Sequence, residues 1–179
     1  MLSLNRLGTK EQAVFKPELL GKWVDLAEKK ETWTFVEDED VKNSYTLTVT
    51  DNDPGKGINV FHALLFNIDG HLFLEMVPHQ SMLAQDKSQK RGELYDWCLL
   101  PGHLIAQVRA IEPNLKMSFL SMDIADKLTL EQLEGIDIQK IQNRVVITSP
   151  TSELRAFISR IVAVQKAWGD QSDLSRAKP

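Results

Sequence analysis

Residues 19–35 read LLGKWVDLAEKKETWTF. A tryptophan, Trp23, follows a glycine by two positions at the head of a short apolar stretch. A second tryptophan, Trp33, shares a face with Phe35 in the next stretch, at the two-residue period of a strand. The polar Glu28-Lys29-Lys30 separates the two. This unit, a short alternating strand and then a polar break, sets the pattern for the chain that follows.

Outward from it, "SYTLTVT" (44–50) alternates Tyr45, Leu47 and Val49 with Ser and Thr. "DNDPGKG" (51–57) is a dense turn signal, and the acidic run "EDEDVKN" (37–43) is another break. "INVFHALLFNI" (58–68) and "HLFLEMV" (71–77) flank Asp69-Gly70, the pair that a two-residue hairpin favours because both central positions need positive φ. The polar stretch 78–96 is expected to be a long loop. Residues 103–112 and 115–122 form a further predicted hairpin about Pro113-Asn114, 123–136 is expected to be helical, and "RVVITS" (144–149) is read as a last strand. The spacing of Leu154, Phe157, Ile158, Ile161 and Trp168 predicts an amphipathic helix over 151–168, with Thr151 as N-cap and Glu153 in the first turn. Residues 1–18 are expected to be an N-terminal extension, 19–168 a single domain, and 169–179 a disordered tail.

Eight sequential strands without βαβ alternation either close into a barrel or pack as a sandwich, since closure removes exposed edges. The expected fold is all-β: an eight-stranded antiparallel barrel with a C-terminal helix on one flank.

Gly21-Lys22-Trp23 at the first strand, followed by that element order, resembles the glycine–any–tryptophan signature of the lipocalins. The resemblance implies that Trp23 plugs the narrow end of the barrel and that Gly21 permits close approach of the chain. "LLGKW", "ETWTF", "FHALLFNIDGHLFLEMVP", "LLPGHLIAQVRA" and "VVITSPTSELRAFI" are also similar to uncharacterised bacterial lipocalin-like proteins, several of them predicted lipoproteins. The chain lacks the disulfide of the secreted vertebrate members and any clear second or third signature.

Composition narrows the function class. The 179 residues carry a formal net charge of -4, which argues against a nucleic-acid-binding face. No apolar run approaches the length of a spanning helix, and the first fifteen residues lack the apolar core of a secretory signal. The compartment stays open: the cell envelope if a signal was removed, the cytoplasm otherwise. The single cysteine, Cys98, forms no internal disulfide and reads as a small buried apolar residue.

No catalytic set is legible. His62, His71, His79 and His103 show no ligand spacing, a metal site across His79 and His103 is the weaker alternative to ordinary strand-end histidines, and no nucleophile motif or phosphate loop occurs. No cofactor is expected. Polar residues inside apolar strands are more informative: Glu75 shares a face with Phe73 and Val77, and Gln107 with Ile105 and Arg109. Either one of these faces is simply solvent, or the carboxylate is buried and needs a partner, such as Arg109 or a ligand. Trp33, Phe35, Tyr45, Phe61 and Phe73, with Glu75, His103 and Gln107, are therefore the candidate lining of a ligand cavity. The expectation is non-enzymatic binding of a small, partly apolar molecule. The alternative is a structural or protein-interaction module whose barrel is filled by its own side chains.

Overall fold

The computed structural model describes residues 1–26, 31–51, 57–79, 102–141 and 144–177, with the side chains of 141 and 144 left aside. The turn at 51–57 and the loop at 78–96 fall largely outside these residues, and Cys98 wholly so. In chain order the strands are β1 (Leu2–Ser3), β2 (Gly21–Asp25), β3 (Glu31–Glu37), β4 (Ser44–Asp51), β5 (Ile58–Ile68) and β6 (His71–Pro78). They continue as β7 (His103–Ala110), β8 (Asn114–Leu120), β9 (Ile138–Ile141), β10 (Arg144–Ile147) and β11 (Trp168–Arg176). Among the described residues the α-helices are α1 (Ile124–Lys127) and α2 (Thr151–Ile161).

Eight strands close a ring in the order β6-β5-β4-β3-β2-β11-β8-β7, and β7 pairs back to β6. Every neighbouring pair in the ring is antiparallel. The β5–β6 turn is the expected one: Asp69 and Gly70 have φ of 51° and 84°, the left-handed values that Asp and Gly tolerate best. Side chains alternate across the barrel wall, so each strand sends one set inward.

Two expectations about the ring are corrected. The eighth stave is β11, not "RVVITS". Residues 144–147 form β10, which belongs to a flap outside the barrel: β1 pairs antiparallel with β7 and parallel with β10, and β10 pairs with β9. The expected tail is thus a stave, and α2 ends at Ile161 rather than 168. Burial explains the exchange. Trp168 and Leu174 are buried in the wall, and the ring has no other strand to join β2 to β8. The expected helix over 123–136 is one turn, α1, followed by hydrogen-bonded turns such as Leu133 N–H to Thr129 O.

The N-terminal extension, residues 1–18, packs onto the barrel. Leu2, Leu7 and Ala13 are buried, and residues 10–12 and 17–19 are short 3-10 turns. Two apolar cores result. One fills the barrel with side chains from all eight staves, from Trp23 and Trp33 round to Met117 and Leu174. The other lies outside the wall of β5–β8, where Phe66, Phe73 and Ile105 pack against Leu154, Phe157, Ile158 and Ile161 of α2 and against Leu7.

Candidate functional site

The barrel interior is apolar and aromatic, and one end of it is sealed by named contacts. The indole N–H of Trp23 donates to Leu19 O at 2.9 Å, and the guanidinium of Arg176 lies over the same ring. Gly21, at φ 112°, sits where an added Cβ would meet Arg176 Nη1 at 3.2 Å. Tyr45 completes this end. Its ring stacks on Phe15 at 5.0 Å and meets Phe35 edge-on at 6.1 Å. Its hydroxyl accepts the Lys16 N–H at 2.7 Å, and burial pushes its ionisation above the usual tyrosine range.

Toward the end where β2, β4 and β6 finish, the lining is less completely covered. Trp33, Val49 and Phe61 keep 6%, 8% and 7% exposure, while Trp23, Tyr45, Leu47 and Ala63 keep none. Trp33 donates its indole N–H to Glu31 Oε2 at 3.0 Å and faces Phe119 with ring centroids 6.2 Å apart. Among the described residues each indole N–H and phenol hydroxyl in this interior already has a protein partner.

The expected lining divides into two groups. Trp33, Phe35, Tyr45 and Phe61 belong to the barrel interior. Phe73, Glu75, His103 and Gln107 do not: Leu74 and Met76 take the inward positions of β6, so their neighbours point outward, and the register sets Phe73 opposite Gln107 and Glu75 opposite Ile105. The eight residues therefore line no common cavity.

On the outer wall Glu75 is 2% exposed, and its partners are other than Arg109. Its Oε2 accepts the N–H of Leu7, whose carbonyl in turn accepts from Arg155 Nη1 of α2 at 2.8 Å. Its Oε1 lies 3.1 Å from Nδ1 of His103, close enough for an ion pair, although the angle of a hydrogen bond is not met. Arg109 instead donates from Nε to Gln107 Oε1 at 3.3 Å, and Gln107 Nε2 donates to Val162 O at 3.4 Å. These polar groups bind the N-terminal segment and the end of α2 to the barrel.

Four contributors escaped the sequence reading. Phe119 carried a signal, since Leu115, Met117 and Phe119 share a period-two face. Leu7, Arg155 and Arg176 carried none, because their roles depend on where distant segments land. The acidic run also holds a specific pair: Asp38 Oδ2 lies 2.9 Å from His62 Nδ1. Among the described residues no group of three or more His, Cys, Asp or Glu could hold a metal, and no helix is long and apolar enough to cross a membrane.

The closed antiparallel barrel with its flanking helix is the class that fold and site define. No family model, curated protein or solved structure matches the chain.

Proposed function

We propose that the protein is a lipocalin-like binding barrel that takes up a small, partly apolar molecule without chemical change. The observation that carries this is the graded interior. One end is sealed by Trp23, Tyr45 and Arg176, while the aromatic lining at the other retains exposure at Trp33, Val49 and Phe61. An apolar ligand gains in proportion to the surface it removes from water, and eight-stranded barrels are either just filled by side chains or wide enough to hold one small ligand. The polar atoms of the interior are already bonded, so the selectivity expected is for shape and apolarity. Glu75 and His103 have no part in it.

Titration with a neutral fluorescent hydrophobe, N-phenyl-1-naphthylamine, tests the proposal. Saturable one-to-one quenching of tryptophan emission, largely lost in Trp33→Phe, supports it; no quenching at any probe concentration rejects it. One observation favours the second reading, a barrel filled by its own side chains that acts as a structural or interaction module: Trp33 and Phe119 already meet across the lumen.

A further inference from the structure

We infer that Trp33 and Phe119 form an aromatic gate across the barrel interior, latched by Glu31; this rests on the ligand-binding proposal above and specifies how the ligand is admitted. In the ring, β3 and β8 are separated by β2 and β11. Rings carried by staves that far apart meet only across the lumen, so the Trp33–Phe119 contact spans it. Both residues stand at the same end. Trp33 is two residues from the start of β3, and Phe119 is one from the finish of β8.

The latch follows from strand periodicity. Glu31 and Trp33 are two apart and project from the same face, which brings Oε2 to the indole N–H. Glu31 is exposed, as the first residue of β3, so water replaces this bond at little cost when the indole swings. Phe119 is only partly buried. A change of Trp33 rotamer thus gives up one solvent-side hydrogen bond and the ring contacts with Phe119 and Phe35.

The other interior tryptophan shows the contrast. Trp23 has no exposed surface, bonds a backbone carbonyl and lies under a guanidinium. One indole is built to stay and the other to move. A ligand that passes Trp33 meets an interior whose indole and phenol groups are already bonded, so gating and retention fall to different residues.

Stopped-flow mixing of N-phenyl-1-naphthylamine with wild type, Glu31→Ala, Phe119→Ala and Phe119→Leu separates the gate from the binding itself. When the open state is a minor population, unlatching raises association and dissociation rates together, by roughly tenfold, and leaves the equilibrium constant changed by no more than about threefold. Faster exchange in Glu31→Ala and in either Phe119 variant is the expected result. Glu31 is exposed and Phe119→Leu keeps an apolar side chain, so these two report even if Phe119→Ala fails to fold. Probe binding to wild type with unchanged rates in all folded variants overturns the gate and leaves the binding proposal standing. Binding to the variants alone, with none to wild type at any probe concentration, also overturns the gate, since the wild type then admits no ligand. Binding to none overturns both.

Discussion

The guanidinium carbon of Arg176 lies 4.4 Å from the centroid of the Trp23 ring, which ties the last stave of the barrel to the first. The same guanidinium donates to Leu20 O at 2.9 Å and pairs with Glu112 at 3.0 Å. Trp23→Ala removes a fully buried indole and is expected to cost about 3–5 kcal/mol. Arg176→Ala, at a half-exposed side chain, is expected to cost about 1 kcal/mol. Denaturant midpoints measure both, and a Trp23→Ala change below about 1 kcal/mol would contradict a plug at this end.

Removal of residues 168–177 takes out one stave and leaves β2 and β8 with unpaired edges. Open edges recruit other strands, so the truncated chain should aggregate. A soluble monomer with native far-UV circular dichroism would show that the ring closes without β11.

Glu75→Ala strips two partners at once, the Leu7 N–H and the His103 ring, both buried. The loss expected is about 3–5 kcal/mol, as when one member of a buried pair is deleted. Amide exchange should rise first at residues 2–8. Uniform loss of protection over the whole chain would mean that Glu75 does not serve the N-terminal segment in particular.

Asp38 supplies a pH dependence. Burial disfavours its charged form, but hydrogen bonds from His62 and from the backbone N–H of Asp40 and Val41 outweigh it and hold the carboxyl below its usual range. A depressed folded value means that the contribution is complete above the unfolded carboxylate range, near about pH 4, and is lost as pH falls through the folded value. The stability difference between wild type and Asp38→Asn should therefore be flat above about pH 5 and shrink below it. A difference that persists unchanged to about pH 2 would remove Asp38 as the titrating group.

Seven staves were legible because alternation distinguishes a lined interior from an outer face. The eighth was not. In "WGDQSDLSR" only Trp168 and Leu174 are buried, and the register shifts between Trp168 and Gln171, so no period of two survives. Trp168 also continued the helical spacing of Leu154 and Ile161, and the following Gly169 reads as a helix stop.

The candidate lining divided between the two faces of the wall for the opposite reason. On β6 both faces are apolar, since Leu74 and Met76 point inward while Phe73 lies beneath α2. Where a helix covers the outer wall, the contrast that tells inside from outside vanishes. The sequence places Glu75 on one face with Phe73, but not on which side of the wall that face lies. The interior aromatics Trp33, Phe35 and Tyr45 lie on β3 and β4, outside the wall that α2 covers, and there the period was enough.

The order of staves also bears on biosynthesis. Strands β2 to β6 each pair with their neighbour in sequence, so these hairpins form as the chain leaves the ribosome. Closure cannot follow until Trp168–Arg176 has emerged, because that segment alone joins β2 to β8. At synthesis rates of about 5–20 residues per second, an incomplete sheet persists for several seconds with apolar surface uncovered. The nascent chain in that interval is the form most in need of a chaperone, and the emergence of that one segment is the event that ends the need.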